Sequence, residues 1–164
     1  MPISDRLKLP FLAAAQAQKE MTHNEALALL DIAVQPVVQA VAPAGVPTAP
    51  VAGQCWIVGA SPTGDWSGQA GALAAWTAGG WRFVAPFEGM TAWSIVDGLV
   101  VRRAGSAWVV GEVTAAKLSV GGQQVVGPRR PAISAPSGGT VVDIQARASI
   151  AAMLLSLTAH GLIS

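Results

Sequence analysis

Charge is scarce in this chain. Charged residues fill 12% of its 164 positions, against about 25% in an average globular domain. The ten basic residues are scattered, with adjacent pairs only at Arg102–Arg103 and Arg129–Arg130, and the formal net charge is +1. No basic stripe of the kind that holds a phosphate backbone is present, so no nucleic-acid partner is expected. A single cysteine, Cys55, forbids an intrachain disulfide. Lying in the apolar run CWIV, it reads as a buried free thiol. No window reaches the roughly 18 apolar residues of a membrane-spanning helix, and no membrane insertion is expected. Arg6 and Lys8 precede LPFLAAA, a faint imitation of a secretory signal. Its apolar stretch carries a proline at its second position and is followed by glutamine and lysine, so it reads as a mature N-terminus.

The signatures of common chemistries are also missing. The two histidines, His23 and His160, have no Cys/His cluster around them, and a zinc site needs three or four ligands. No metal and no cofactor are expected. There is no GxSxG elbow. Residues 59–64 lack the GK[ST] ending of a phosphate loop. Asp65, Glu88, Asp97 and Glu112 supply the carboxylates of a glycosidase pair on paper, but acidic residues in β turns ordinarily shape the turn. No catalytic residue is assigned, and a non-enzymatic role is expected.

What the chain does have is apolar bulk of an unusual kind. Hydrophobic residues make up 52% of it, much of that alanine. With so little charge a monomer exposes apolar surface, and such surface marks association. The expectation is an oligomer or a component of an assembly; an alanine-rich monomer is the alternative.

Four regions follow one another, giving an α+β fold: a small antiparallel β domain of short Trp/Gly-rich hairpins, flanked by N-terminal and C-terminal helices. Residues 1–41 are helical in character. Residues 13–19 are good helix formers, and Thr22 with Glu25 fits a capping box ahead of an apolar run. Leu27, Leu30 and Val34 recur at helical spacing, and Pro36 ends or kinks the helix. Residues 42–53, APAGVPTAPVAG, read as a proline-rich linker. Residues 54–118 form the β domain, with strands at 55–58, 73–76, 81–84, 93–96, 99–103 and 108–110. Asp97-Gly98 marks a tight hairpin, and AGGWRFV echoes GSAWVVG. Parallel strands need crossovers of a dozen or so residues, for which this region has no room. Residues 119–139 form a Gly/Pro-rich arm. Residues 140–164 form a helix of about 141–159, with Thr140 and Asp143 as a second capping box. Its apolar stripe is wide enough for burial on two sides, and Gly161 fits a C′ position with Leu162 beside it.

Six tryptophans stand out. Trp76, Trp81 and Trp108 suit the core of a domain short of long aliphatic side chains. Trp66, in the loop GDWSG, and Trp93 are the candidates for contact with a ligand or partner.

Several stretches carry a resemblance. They are Leu9-Pro10-Phe11 followed by AAAQAQKEMTHNEAL, then GDWSGQAGALAAW with GGWRFVAPFEG, and the closing VVGPRRPAI…GGTVVDIQARASIAAMLLSLTAHGLI. Together they resemble a domain family of alphaproteobacterial prophages and of gene transfer agents, which are phage-like DNA-carrying particles. The AQAQKxxTHNEAL motif maps to residues 15–27, and Glu20 and Met21 stand where members commonly carry a basic or aromatic residue. Members resemble head-spike or tail-fibre components, and head spikes of gene transfer agents are linked to attachment to capsulated cells. The resemblance carries no catalytic residues.

It implies a spike or fibre-base subunit, made in the bacterial cytoplasm and then part of an extracellular phage-like particle, that supports host attachment. The implied partners are copies of itself, as trimer or pentamer, and capsid, tail or distal fibre proteins. Leu27, Leu30, Leu154, Leu155 and Leu157 are the expected interface residues. The alternative is a glycan-binding module in which Trp66 and Trp93 stack on cell-surface polysaccharide.

Overall fold

The computed structural model describes residues 2–13, 19–140 and 143–163. The chain divides into two compact units, Met1–Glu112 and Val113–Ser164. It has the expected α+β architecture, with helices at both ends of the sequence and a Trp-rich sheet between them.

In the first unit, helix α1 (Lys19–Ala33) is followed by strand β1 (Val37–Val41), then β2 (Cys55–Ile57), β3 (Leu73–Thr77), β4 (Gly80–Val84), β5 (Thr91–Ser94), β6 (Leu99–Ala104) and β7 (Ala107–Val110). These strands form one sheet in the order β4-β3-β2-β1-β5-β6-β7. Two antiparallel meanders, β2-β3-β4 and β5-β6-β7, stand on either side of β1, which runs parallel to both of its neighbours. Strand β1 falls where the sequence reads as the end of the helical segment. Proline ends the helix as expected, but the VVQAV that follows is β-branched and apolar, and it becomes the central strand. The proline-rich residues 42–54 are therefore a crossover between parallel strands, long enough to need no helix. The echo AGGWRFV/GSAWVVG corresponds to the β3-β4 and β6-β7 hairpins at opposite edges of the sheet, with Trp81 and Trp108 each second in its strand.

The Asp97-Gly98 turn is looser than a two-residue hairpin. Ser94 pairs with Leu99, so β5 ends earlier and the loop is residues 95–98. The Ser94 hydroxyl donates to the Asp97 carboxylate, and Gly98, at φ +64°, donates its amide to the Ser94 carbonyl at 3.0 Å. The side-chain bond favours the longer loop over a two-residue turn.

Alternation along the strands gives the sheet two apolar faces. One is aliphatic: Val38, Cys55, Ile57, Leu73, Ala75, Met90, Ala92 and Val101, capped by Ile32 of α1. The sheet curls about this face. The Trp108 indole N–H donates to the carbonyl of Gly71, just before β3, at 2.8 Å, although β7 and β3 lie five places apart in the strand order. The other face is aromatic: Trp56, Val58 and Ala74 with Trp76, Trp81 and Phe83, covered by Trp66 and by Val46 of the crossover.

The N-terminal residues are fastened to α1 by polar contacts. Asp31 is buried, and its carboxylate accepts from the Ser4 hydroxyl at 2.7 Å, the Arg6 amide at 2.9 Å and the Leu7 amide. The Arg6 guanidinium donates to the carbonyls of Asp31, Ile32, Val34 and Gln35, closing the open end of the helix. Asn24 holds Leu12 by both backbone groups, at 2.9 and 3.0 Å.

Thr22 and Glu25 are not caps. The chain is already helical at Lys19, which places both inside α1. Glu25 instead pairs with Arg82 of β4 at 2.8 Å. Most of the expected helix at 13–19 lies outside the described residues.

In the second unit, β8 (Leu118–Val120) and β9 (Gln123–Val126) form a hairpin in the expected Gly/Pro arm, and α2 spans Ile144–Ala159. Asp143 is the N-cap itself, its carboxylate accepting from the Ala146 amide at 2.9 Å. The helix starts later than expected, so Thr140 stands outside it and does not cap. At the other end Gly161 occupies C′ at φ +69°. The Leu162 amide reaches the Leu157 carbonyl at 3.0 Å and the Gly161 amide reaches Thr158 at 2.9 Å, the paired bonds of a Schellman ending.

Replacing Asp31 by Ala strands three donors at once. The expected loss is about 2–4 kcal/mol of unfolding free energy in urea, and an unchanged midpoint would refute the fastening role.

Candidate functional site

Trp66 and Trp93, proposed together from sequence as contact residues, part company in the structure. Trp66 sits in a 3-10 turn, Gly64–Trp66, and is 2% exposed. Its ring lies 6.3 Å from that of Trp56 and 5.3 Å from that of Trp81, edge-on to the latter. Trp81 in turn meets Trp76 at 5.1 Å and Trp56 at 5.6 Å. These centroid separations suit edge-to-face packing. The surface role assigned to Trp66 is therefore corrected: the turn folds its ring inward because alanine and glycine on β3 and β4 leave a volume that only a large side chain fills. Its indole N–H meets no acceptor among the described residues, so the ring is held by packing alone.

Trp93 is 45% exposed. It pairs across the sheet with Val37 on one side and Val100 on the other, themselves 39% and 48% exposed. These three side chains occupy the same face as the tryptophan cluster, on the half that no turn covers. With Gln35, Pro36, Thr91 and Ala92 they line a shallow cavity of about 300 Å³. An indole framed by aliphatic side chains offers an apolar stacking surface.

The expected interface leucines are also divided. On α1, Leu27 is half-buried and Leu30 exposed, the latter lining an apolar groove with Ala26, Leu29, Ala33, Phe83, Val84 and Ala85. On α2, Leu154 and Leu157 are half-buried and Leu155 is 72% exposed. None of the sixteen residues of α2 is buried, although Ile144, Ile150 and Met153 add to its apolar surface.

Among the polar candidates, Glu88, Asp97, His23 and His160 make contacts within the fold. Glu88 accepts from the Gly105 amide at 2.7 Å, and Asp97 bonds Ser94. His23 Nδ1 lies 2.9 Å from the Lys19 carbonyl on α1, and His160 is the C-cap of α2. Among the described residues no group of three or more His, Cys, Asp or Glu side chains is placed to hold a metal ion. Burial pushes the Cys55 thiol from its ordinary 9.0 up to about 11; the Arg6 charge draws it partly back and Asp31 adds to the rise. The thiol is therefore protonated at neutral pH and is no nucleophile.

Sequence reasoning missed Val37 and Val100. Val100 faces Trp93 across the local β5-β6 hairpin, but Val37 does so only because β1 inserts beside β5, a pairing between residues far apart in the chain that no local pattern announces.

Two substitutions separate the rings. Trp66→Ala empties a packed site and is expected to cost about 3–5 kcal/mol, while Trp93→Ala costs less than about 1 kcal/mol. Thermal unfolding of the two variants checks this, and equal losses would contradict the division into core ring and surface ring.

No curated protein matches the chain. The model of one domain family matches residues 23–109, the span from the middle of α1 to β7 and more than half of the chain. It covers β1 to β6 and all but the last residue of β7, with both apolar faces and Trp93. The chain belongs to this family, DUF2793, described as a protein of unknown function.

Proposed function

We propose that this chain is a structural subunit of a phage-like particle, a spike or fibre base that assembles as a symmetric oligomer and supports attachment to a host cell. One observation carries the assembly: among the described residues of Val113–Ser164, Ile163 is the sole buried hydrophobic side chain. A 16-residue helix that is apolar nearly all round, and buried nowhere, is a helix made for a partner. The hairpin β8-β9 adds exposed Leu118, Val120, Val125 and Val126. A unit of this size with one buried apolar residue has too little core to stand alone, and copies of the same unit around a symmetry axis supply the missing contacts. The particle context rests on the resemblance of residues 9–27 and of the closing segment to prophage and gene transfer agent proteins. On this reading the subunit has no catalytic role, binds capsid, tail or distal fibre proteins, and ends up outside the cell as part of the particle.

Light scattering on a sizing column tests the assembly. The expected mass is a fixed multiple of 16.6 kDa that holds on dilution. Leu155→Asp places a charge on the exposed helix face and is expected to shift the mass to that of the monomer while the tryptophan near-UV signal of the sheet stays unchanged. A wild-type chain that is monomeric at every concentration would overturn the reading.

The exposure of Trp93 favours a second reading, in which the half-open sheet face stacks on a sugar of the host surface. Saccharide titration followed by tryptophan fluorescence should then give a saturable change that is lost in Trp93→Ala. Retention of the full change in that variant would rule the face out.

A further inference from the structure

The five half-buried arginines of the chain are Arg6, Arg82, Arg102, Arg103 and Arg147. Arg6 is spent on the carbonyls that end α1. Arg82 pairs with Glu25. Arg147 donates to the carbonyls of Pro136 and Gly138, and Arg102 is also engaged. Arg103 differs from the rest. Its side chain makes no hydrogen bond or ion pair with any other described residue.

Arg103 lies on β6, opposite Trp108 of β7, at one end of the curled sheet. It helps line a cavity of about 460 Å³ whose other walls are Val41, Ala42, Ile57 and Val58 on one side, the loops at residues 59–60 and 70–71 on another, and Ser106, Ala107 and Trp108 on the third. The guanidinium packs against Gly71: a Cβ there would stand 3.4 Å from Arg103 Nη1, an ordinary contact distance. No acidic side chain lines the cavity. The site therefore presents one positive, fork-shaped donor, the Ser106 hydroxyl and an otherwise apolar wall.

We propose that this cavity binds a small carboxylate, held by the Arg103 guanidinium, with its carbon body against Val41, Ala42, Ala70 and Trp108. A guanidinium partly removed from water without a partner carries a desolvation cost that a bound anion offsets. Its planar fork matches a carboxylate in two parallel hydrogen bonds. One cation in a neutral pocket balances a single negative charge, so a carboxylate fits it better than a doubly charged phosphate. The size is that of a small-molecule site. The site stands on the first unit alone and is independent of the oligomer proposed above.

The test is a titration of the full chain with sodium benzoate and with sodium glucuronate, followed through the Trp108 indole N–H signal by NMR. Benzyl alcohol and methyl glucoside are the neutral counterparts. The expected result is a saturable shift with at least one of the two acids, weakened about tenfold or more in Arg103→Met and partly restored in Arg103→Lys. A response to benzoate alone identifies an aromatic acid as the ligand type, and a response to glucuronate alone a sugar acid. If Arg103→Met does not fold, the comparison of each acid with its neutral counterpart on the wild-type chain decides. No saturable shift with either acid, an equal shift with the neutral compounds, or undiminished binding in a folded Arg103→Met would each overturn the proposal.

Discussion

The first unit depends on one strand having two neighbours. β1 hydrogen-bonds to β2 on one edge and to β5 on the other, and without it the sheet is two separate three-stranded meanders. Three strands with one apolar face are about the least that stands alone. Joined through β1, they form a sheet long enough to curl, and the curl buries the aliphatic face around Val38, Ile57, Leu73 and Val101. The position of β1 is set from both of its ends. Upstream, α1 is fastened by Asp31 and Arg6 to the N-terminal residues. Downstream, the prolines of residues 42–54 stiffen the crossover that leads to β2. A register irregularity between Val38 and Val41 turns Ala40 toward the tryptophan cluster and Val41 toward the aliphatic core, so a five-residue strand serves both faces.

The two faces solve the shortage of large aliphatic residues differently. The inner face uses small and medium side chains packed under α1 and inside the curl. The outer face uses a few large rings, and Trp56, Trp66, Trp76 and Trp81 fill with four residues a volume that would otherwise take many. That solution reaches only as far as the covering turn. Beyond it, Val37, Trp93 and Val100 stay open. The same sheet face is therefore core on one half and open on the other. The family match over residues 23–109 covers both halves.

The motif residues that carry the strongest resemblance acquire a physical meaning in this arrangement. Asn24 substitutes for a backbone neighbour by bonding both the N–H and the C=O of Leu12. Glu25 reaches across to β4, and Asp31, six residues on, organises residues 4–7. Their spacing places them along the length of α1 facing the N-terminal segment and the sheet edge. Within the motif, Asn24 and Glu25 dock α1 against the N-terminal segment and β4.

Much of the fold was legible in the sequence. Six strands, the C-terminal helix with its Gly161 ending, and the core role of Trp76, Trp81 and Trp108 follow from local alternation, turn residues and helical spacing. These are short-range effects, fixed by sterics and backbone hydrogen bonding within a few residues. The tertiary structure decided what depends on distant partners. It turned VVQAV into a central parallel strand, moved Glu25 from cap to ion pair, buried Trp66 while leaving Trp93 open, and left Arg103 without a partner among the described residues. Each of these outcomes is a competition between a local preference and a contact contributed from elsewhere in the chain. Alternation and capping rules describe only the local side of that competition, because the energy that settles it comes from burial and pairing that exist only once the sheet has closed.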